Sequence, residues 1–368
     1  MKRRYKILGS LIAVLAIAVF VFGMVLAHES PCPTAPMLAS GATSMKAWVY
    51  RCYGGPEVLQ YEDLTKPVPA DDEVLVKVRA ASVNPLDWHY LRGKPYLMRM
   101  DVGLGVPKDI GMGVDFAGVV ESTGKSVTHF KAGDEVFGAG DGAFGEYVKV
   151  REIRNIAIKP ANLSFAQASA VPVAAITALQ ALRDIGKLKA GQKVLINGAS
   201  GGVGTFAVQI AKSMGAEVTG VCSGRNVEMV RSLGADHVVD YTKEDFTKGA
   251  QKYDVIVDTV GNRPLSEYRE ALVDKGIFVI VGGSSENRWL GPFTEVIKAK
   301  LYSPFVSQSF EFFLARITPE DLATLSGLMT AGKLTPVIDR SFKIGDLPEA
   351  IRYVEAGHTR GKVVVDFD

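Results

Sequence analysis

The second half of the chain alternates short apolar runs with segments of helical spacing. The apolar runs predict five strands, at residues 194–196, 217–221, 237–239, 254–257 and 277–281. Helical patterns lie between them, such as 202–214 and 227–233, and each of these two is followed by a helix-ending glycine, Gly215 or Gly234. Apolar strands that alternate with helices are typical of a parallel sheet with helices on both faces. The pattern therefore predicts an α/β, doubly wound parallel sheet.

Upstream, over residues 45–160, the pattern is that of β structure. Stretches such as "EVLVKVRAASV" and "DFAGVVESTG" alternate apolar with polar or small residues and carry β-branched side chains. After about residue 163 the spacing becomes helical and rich in alanine. Near the C-terminus, Thr318 is predicted to cap a helix, and Asp346 with Glu349 to form a capping box. A length of 368 residues fits two domains.

Residues 1–27 combine four basic residues with an uncharged apolar stretch at 7–27. The stretch is long enough to cross a bilayer, which takes ~20 helical residues, and we interpret it as a membrane anchor with a cytoplasmic N-terminus. A removable signal peptide is the competing interpretation, because Val25 and Ala27 resemble a cleavage site. Residues 28–44 are rich in small residues and proline and are predicted to be a flexible linker.

The composition is that of an ordinary globular protein. It is 47% hydrophobic and 22% charged, with a net charge of +2, so no charge excess indicates a nucleic-acid surface. The cysteines, Cys32, Cys52 and Cys222, are odd in number and far apart. They are expected to form neither a disulfide framework nor a zinc knuckle.

The segment "VLINGASGGVGTFAVQIAK" places a glycine-rich turn between a predicted strand and an amphipathic helix. At Gly201 and Gly202 the missing Cβ lets a pyrophosphate approach the backbone, and Gly204 lets the helix pack closely on the strand. The free N–H groups and the dipole of the helix start then bind the anion. A plain tight turn is the alternative, but the strand–turn–helix setting favours a dinucleotide site.

The acid that usually follows such a turn by about 20 residues, and that binds the ribose hydroxyls, is missing. Cys222 takes its place, followed by Ser223 and Arg225, and Tyr241 follows the next strand. An acid there would repel a 2′-phosphate, whereas an arginine can form a charged fork with it. Arg225 as a solvated surface cation is the alternative, but together with the absent acid these residues favour NADP(H) over NAD(H).

The motifs "MKAWVYRCYGGPEVL", "ASVNPLDWHYLRG", "GVDFAGVV", "GDEVFGAGDGAFGEYV" and "NGASGGVG" occur in this order from Met45 onward. In this respect the chain resembles the zinc-independent medium-chain dehydrogenase/reductase superfamily, in the branch of quinone oxidoreductases and reticulon-4-interacting-protein-like reductases. The resemblance implies a GroES-like substrate domain over 45–170, completed by about 315–368, and a Rossmann domain over 171–314. It also implies a cleft between the domains and a dimer or tetramer, of which we expect a homodimer.

Zinc-bearing relatives are implied to carry a cysteine in the "VNPLDW" loop and a His-Glu pair after a glycine. Here Asn84 stands in place of the cysteine, and Val114 and Asp115 replace the pair. Zinc needs three or more nitrogen, sulfur or oxygen ligands, which these residues do not supply. The chain is therefore expected to hold no metal.

The remaining site residues come from the glycine turn, the strand ends and the positions that the resemblance marks. In the "VNPLDWHY" segment, Asp87 could orient His89, and His89 or Tyr90 could donate a proton. The alternative is that His89 only touches the cofactor or packs at the cleft edge. The cofactor contacts are predicted at Asn84, Ser200, Gly201, Gly202, Val203, Gly204, Ser223, Arg225, Tyr241, Val260, Gly261, Gly282, Phe305, Ser307, Arg360 and Lys362.

Without a metal to stabilise an alkoxide, alcohol oxidation is disfavoured, whereas a polarised acceptor needs only a hydride and a proton. We therefore expect an NADPH-dependent reductase of quinones or α,β-unsaturated carbonyls, which act as small-molecule substrates. The alternatives are a weak NADP-dependent carbonyl or alcohol dehydrogenase, and a membrane-anchored NADPH-binding protein with little catalysis. The expected location is a membrane or an exported compartment, or the cytoplasm if the protein starts at Met45.

Overall fold

The structure is a computed structural model that describes residues 2–36, 38, 41–283 and 287–367, with the backbone alone for residues 2–9, 11 and 12. Within these ranges the helices are α1 Lys2–Ala27, α2 Pro85–Arg92, α3 Arg99–Val102, α4 Phe165–Ser169, α5 Pro172–Gln180, α6 Gly202–Ser213, α7 Val227–Ser232, α8 Leu265–Ala271, α9 Phe293–Tyr302, α10 Pro319–Thr330 and α11 Leu347–Glu355. The strands are β1 Ser44–Val49, β2 Gln60–Thr65, β3 Glu73–Val83, β4 Asp115–Thr123, β5 Glu135–Ala139, β6 Tyr147–Arg151, β7 Ile156–Ile158, β8 Lys193–Asn197, β9 Glu217–Cys222, β10 His237–Asp240, β11 Tyr253–Asp258, β12 Leu272–Ile280, β13 Ser309–Phe312, β14 Ile338–Lys343 and β15 Lys362–Asp366.

Strands β8 to β13 form a six-stranded sheet in the order β10-β9-β8-β11-β12-β13. All neighbouring strands run parallel. The five strands predicted from the apolar runs lie in this sheet. Strand β12 begins earlier than predicted because Asp274 and Lys275 interrupt its apolar pattern, and the four-residue edge strand β13 is too short to give a periodic signal.

The parallel sheet is buried on both faces. Within β8, Leu195 packs in a cluster with Tyr268 and Phe278, whereas the next residue, Ile196, packs in a second cluster with Phe206. Successive side chains of a strand point to opposite faces, so the two clusters lie on opposite sides of the sheet. The prediction of a doubly wound sheet is therefore confirmed, as expected for continuously apolar strands.

The β-rich region forms a seven-stranded sheet in the order β14-β15-β3-β4-β5-β7, and β6 also pairs with β3. Strands β1 and β2 form a separate antiparallel pair. Strand β15, the last of the chain, lies antiparallel to β3, and β14 lies parallel to β15. The C-terminal residues thus join a sheet built mainly from residues 73–158. The domain boundaries drawn from the sequence stay a prediction.

The two caps predicted near the C-terminus have different outcomes. The Thr318 side chain accepts a hydrogen bond from the Asp321 amide at 3.2 Å, which confirms the cap of α10. The capping box of α11 is wrong, because Asp346 makes no side-chain cap bond and closes a 3₁₀ turn before the helix. Its backbone angles of −99° and 17° depart from the extended conformation typical of a capping residue. Glu349 pairs with Arg352 instead.

The N-terminal residues form the helix α1, and within the described ranges no helix combines the length and hydropathy needed to cross a membrane. The expectation that the cysteines form no disulfide framework is wrong in one respect, since Cys32 and Cys52 form a disulfide. The segment after α1 folds back along the β-rich region and brings Cys32 beside Cys52. The spacing of the cysteines does not predict this disulfide, because it depends on the tertiary path of the segment after α1.

Candidate active site in the cleft between the two sheets

The glycine-rich turn lies between β8 and α6, at the carboxyl end of a central strand of the parallel sheet. Gly198 has a φ of +84°, and a Cβ on Gly204 would lie 2.1 Å from the Gly198 carbonyl oxygen. Glycine is therefore required at both positions. Gly201 stands at the N-cap of α6 and supplies no side chain to cap it. The first N–H groups of α6 are thus free to bind an anion.

A cavity of about 540 Å³ extends from this turn and is lined by residues of both sheets. Its size lies in the range of roughly 300–1,000 Å³ that is usual for cofactor pockets. The structure brings these predicted cofactor residues to its walls: Asn84, Ser200, Gly201, Gly202, Val203, Ser223, Arg225, Tyr241, Val260 and Lys362.

A larger and more open hollow of about 1,230 Å³ adjoins the cavity on the side of α9. Val260 and Asn262 line both spaces, so the two communicate at the end of β11. The glycine turn and the strand-end residues lie in the smaller cavity, which we take as the cofactor site. The larger hollow lies where a second reactant could enter.

At the end of β9 the residues that replace the usual acid line one end of the cavity. The exposed Arg225 donates from Nη2 to the His358 carbonyl oxygen at 3.0 Å, which leaves its other N–H donors available. Tyr241 is 55% exposed at the same end. Ser223 lies between them at the start of the turn after β9. The arrangement presents one cation and two hydroxyls, which suits a phosphate.

Cys222 also lines this end of the cavity, and its thiol is neutral. It is buried, and burial raises the pKa of its thiol to about 11, with the nearby Asp240 adding to the shift. The Asp240 carboxylate accepts from the backbone and the hydroxyl of Thr242, and the ammonium of Lys243 lies 3.5 Å away. Asp240 is not among the residues that line the cavity. Within the residues described, no carboxylate therefore lines this end of the cavity.

Asn226 is a site residue that the sequence reasoning missed. It is 3% exposed and lines the cavity, and its Nδ2 donates to the hydroxyl oxygens of Ser200 and Ser223 at 3.1 and 3.2 Å. Its Oδ1 is buried without a hydrogen-bond partner. Asn226 therefore links the glycine turn to the end of β9 through its side-chain amide. Its position, one residue after Arg225, is the signal that could have found it.

At the other end of the cavity, Asn84, Asp115 and Lys362 form a buried polar network. Asp115 is fully buried and accepts from Ser82 Oγ and Asn84 Nδ2, both at 2.9 Å, and from the Val173 amide at 3.0 Å. The Lys362 ammonium donates to Asn84 Oδ1 and lies 3.5 Å from Asp115. Both ends of the Asn84 amide are thus engaged within the protein.

The candidate catalytic residues lie on α2, and none of them is among the residues lining the cavity. Asp87 accepts from the Asn84 amide at 2.7 Å, and burial raises its pKa to about 7. His89 hydrogen bonds through Nδ1 to the Lys94 carbonyl oxygen at 2.7 Å. The expected Asp87–His89 pairing is therefore wrong, because each side chain has a backbone partner of its own. Burial lowers the pKa of His89 and raises that of Tyr90.

Burial is the main cause of the raised pKa values of three tyrosines near α2. Burial raises the pKa of Tyr50, Tyr53 and Tyr90, and the charges of Asp87 and Asp141 raise that of Tyr90 further. These phenols stay protonated and can donate hydrogen bonds at neutral pH. Tyr50 and Tyr53 were not among the predicted site residues.

Six predicted cofactor residues lie outside the cavity walls: Gly204, Gly261, Gly282, Phe305, Ser307 and Arg360. Gly282 packs β12 on β11, since a Cβ there would lie 2.2 Å from the Thr259 carbonyl oxygen. The Gly261 amide donates to Asp258. Phe305 is 84% exposed and lies in the 3₁₀ turn before β13.

Ser307 and Arg360 also make contacts within the protein. Ser307 Oγ donates to Asp274 at 3.4 Å, beside the edge strand β13. The Arg360 guanidinium points to the Met229 sulfur at 4.0 Å, and its amide donates to Asp339. Thr259, Asn262 and His358 line the cavity in their stead.

Comparison with known proteins identifies the fold. Residues 70–161 match the family described as "Alcohol dehydrogenase GroES-like domain", and residues 233–365 match "Zinc-binding dehydrogenase". The mitochondrial NAD(P)H oxidoreductase RTN4IP1 of Mus musculus is 35% identical over 364 residues, covering 88% of this chain and 90% of the relative. The chain belongs to the medium-chain dehydrogenase/reductase superfamily, in its zinc-independent quinone oxidoreductase branch.

Two further relatives agree with this placement. The chloroplastic NADPH-dependent alkenal/one oxidoreductase of Arabidopsis thaliana is 34% identical over 342 residues, covering 89% of this chain and 81% of the relative. The structure of Escherichia coli quinone oxidoreductase complexed with NADPH superimposes with a TM-score of 0.75 at 26% identity, covering 87% of this chain and 99% of that one. The resemblance inferred from the motifs is confirmed.

One family description mentions zinc, so the ligand positions matter. Asn84 is hydrogen bonded to Asp115 and to Lys362, the Lys362 ammonium lies 3.5 Å from Asp115, and the side chain of Val114 has no ligand atom. In the described part of the chain no three His, Cys, Asp or Glu residues are grouped as a metal site would need. The absence of zinc stays a prediction, which is tested below.

Proposed function

We propose that this chain is an NADPH-dependent, metal-independent oxidoreductase that transfers hydride to a quinone or to an α,β-unsaturated carbonyl compound. The observation that carries the proposal is the end of β9, where Cys222 stands in place of the usual acid and Ser223 and Arg225 line the cavity beside a glycine-rich turn. The relatives, which are named as NAD(P)H and alkenal/one oxidoreductases, support it. The cofactor, when bound, supplies the hydride, and the protein supplies its position.

The chemistry of the cleft supports an activated acceptor over an alcohol. Alcohol oxidation needs a group that stabilises an alkoxide, such as a metal ion. The polar groups at this end of the cavity are instead engaged with one another: Asn84 hydrogen bonds to Asp115 and Lys362, and Lys362 pairs with Asp115. Quinones and enones carry their own polarisation, and the proton can come from Tyr90, from His89 or from water.

Two alternatives remain distinct from this proposal. A weak NADP-dependent carbonyl or alcohol dehydrogenase would use the same cofactor pocket, and an NADPH-binding protein with little catalysis would use the same fold. Full-length protein is assayed with a quinone, an enone, a ketone and an alcohol, with NADPH and NADH as cofactors. Turnover of the quinone or enone with NADPH is expected. Turnover confined to the alcohol and ketone would favour the first alternative, and tight NADPH binding without turnover would favour the second.

We further propose that the N-terminal residues bring the protein to a membrane or into an exported compartment. Two observations support this: the apolar side chains Val14, Leu15 and Phe20 of α1 are more than half exposed, and the chain holds a disulfide, which persists in oxidising compartments. Fractionation of full-length protein from its host tests the proposal. Recovery at full mass with the soluble cytoplasmic proteins would refute it.

A homodimer is proposed for the same chain. Strand β13 is an edge of the parallel sheet in the described structure, and the nearby Phe305 and Leu301 are 84% and 69% exposed. An exposed edge with apolar neighbours is a surface that a second copy can cover. Sedimentation analysis should give twice the mass of the chain, and the variant Phe305→Glu should give a monomer.

A further inference from the structure

The segment that follows α1 is attached to the β-rich region, and we call residues 26–32 the N-terminal strap. The Ser30 amide donates to the Gly105 carbonyl oxygen at 3.1 Å, and Cys32 is joined to Cys52 by the disulfide. Residues 28–44, which include most of the strap, were expected to be a flexible linker. The strap is instead held by a backbone hydrogen bond at one point and by a covalent bond at another.

Arg99 is the central contact of the strap. Its side chain is fully buried, and Nη1 donates to the carbonyl oxygens of Leu26 and His28 at 3.1 and 3.0 Å. Nη2 donates to the Glu29 carboxylate at 2.8 Å. A buried guanidinium is stable only when its donors have partners, and the strap supplies most of them here. Arg99 and the strap therefore depend on each other.

The same guanidinium is stacked between two aromatic rings. It lies 4.4 Å from the ring centre of Tyr53 and 4.6 Å from that of Tyr96. Such contacts favour a cation that is shielded from water. A planar guanidinium with several N–H donors can make these ring contacts and hydrogen bonds together, whereas a lysine ammonium cannot.

Arg99 also reaches the helix that carries the candidate catalytic residues. Its Nε donates to the Gly93 carbonyl oxygen at 2.9 Å, and Gly93 ends α2 in the left-handed conformation. The next residue, Lys94, accepts the hydrogen bond from His89. Loss of the strap would therefore loosen the turn that fixes the ring of His89 and the end of α2.

The loop between α2 and α3 meets the parallel-sheet region on its other side. The Tyr96 amide donates to the Arg288 carbonyl oxygen at 2.8 Å, and the Leu97 amide to that of Trp289 at 3.2 Å. The rings of Tyr96 and Trp289 meet edge to face at 5.0 Å. The loop is therefore held between the strap and the segment that leads into α9, and Glu295 and Lys298 of α9 line the larger hollow.

We propose that the N-terminal strap is a working part of the acceptor side of the cleft, and that Arg99 is the positioning residue through which it acts. The strap provides hydrogen-bond acceptors for Arg99, and Arg99 fixes the turn after α2. The loop that follows, through Tyr96, holds the segment before α9, and α9 lines the larger hollow in which we place the acceptor. The contacts of the strap do not include the residues that line the cofactor cavity. Release of the strap should therefore affect the acceptor and spare NADPH. The kinetic part of the test rests on the proposed reductase function.

The first test needs no turnover. Hydrogen exchange is compared in full-length wild type and in Cys32→Ser, which removes the disulfide at an exposed position and should leave folding intact. Faster exchange in the strap and in residues 93–105, with unchanged exchange in β8 and α6, is expected. Unchanged exchange of residues 93–105 after release of the strap would overturn the proposal, whatever the protein reduces.

The second test separates the acceptor from the cofactor. Cys32→Ser, Glu29→Gln and Arg99→Met should each raise the KM for the acceptor, by about tenfold in Arg99→Met, with a smaller change in kcat and an unchanged Kd for NADPH. Arg92→Met is the matched control, because Arg92 lies on α2 and pairs with Glu355 away from the strap. An equal change in the control, or a loss of NADPH affinity in the strap variants, would overturn the proposal. If Arg99→Met fails to fold, the KM values of Cys32→Ser and Glu29→Gln, which change exposed residues, test the proposal.

Discussion

The Lys362 ammonium lies 3.5 Å from the Asp115 carboxylate, and both side chains are almost completely removed from water. Burial lowers the pKa of Lys362, and the neighbouring Asp115 opposes that shift. Asp115 has three further donors, Ser82, Asn84 and the Val173 amide at the start of α5. The pair thus joins the last strand of the chain to the helix that leads into the parallel sheet, and its polar atoms are satisfied by the protein.

Removing the charge of Lys362 should destabilise the protein. Lys362→Met leaves Asp115 buried without its cation, which is expected to lower the unfolding free energy by about 3–5 kcal/mol. The double variant Lys362→Met/Asp115→Asn should recover part of this loss, because no unpaired charge remains. Urea denaturation of the four proteins of the cycle measures both effects. Additive losses in the double variant would contradict the coupling.

The same cation makes a zinc site at this place unfavourable. Asn84 and Asp115, which stand where zinc-bearing relatives are implied to have ligands, are bonded to Lys362 or lie beside it, and its positive charge would repel a metal ion. We expect elemental analysis of freshly purified protein to show no stoichiometric zinc, and the reductase activity to persist in chelator. One zinc per chain, removed together with the activity, would contradict this.

Asp87 should make stability fall as the pH rises. Burial raises its pKa from an ordinary value near 4 to about 7, so between these values the folded chain holds a proton that the unfolded chain has released. The unfolding free energy of wild type should therefore decrease over this range, by at most about 4 kcal/mol from this group. Asp87→Asn keeps an acceptor for the Asn84 amide and removes the titration.

Denaturation of wild type and Asp87→Asn at several pH values from 4 to 8 measures the difference. The variant should gain stability relative to wild type as the pH rises. The charges of Asp115 and Lys362 also act on Asp87, but both residues are present in wild type and in the variant. The difference in unfolding free energy between the two proteins therefore reports the titration of Asp87 alone. A constant difference across the range would show that Asp87 does not titrate there.

His89 is expected to be a poor proton donor in the resting protein. Its Nδ1 faces a carbonyl oxygen, which can only accept, so Nδ1 carries the proton and Nε2 is a lone-pair acceptor. Burial, which lowers its pKa, keeps the ring in this neutral form. His89→Phe should therefore lower kcat by less than about tenfold, against 10²–10⁴ for a general acid. A hundredfold loss of kcat with unchanged NADPH affinity would assign His89 the catalytic role.

The sequence predicts most of the parallel sheet because its strands are buried on both faces and therefore read as continuous apolar runs. The glycine turn is equally readable, since Gly198 and Gly204 leave no room for a side chain. The partner of His89 was not predictable, because a backbone carbonyl leaves no mark in the sequence. The same holds for Arg99, whose partners come from a segment about 70 residues away in the chain.

The strand end of β9 provides the sharpest test of the cofactor assignment. One hydrogen bond to the His358 carbonyl oxygen orients Arg225 at the cavity wall. A 2′-phosphate could accept hydrogen bonds from the remaining donors of Arg225 and from the hydroxyls of Ser223 and Tyr241. A charge-assisted hydrogen bond contributes about 1.5–3 kcal/mol, so Arg225→Ala should weaken NADPH by roughly 10- to 150-fold. NADH lacks this phosphate, and its Kd should barely change.

Two further variants sharpen this prediction. Arg360→Ala is the matched control, because its guanidinium faces Met229 outside the cavity lining, and it should leave both affinities nearly unchanged. Cys222→Asp places a carboxylate where Cys222 now lies uncharged, so it should repel the phosphate, accept from the ribose hydroxyls and turn the preference towards NADH. Titration of both cofactors against wild type and the three variants measures all of this. Equal wild-type affinity for NADH and NADPH, or equal weakening of both by Arg225→Ala, would contradict the phosphate site because a 2′-phosphate contact acts on NADPH alone.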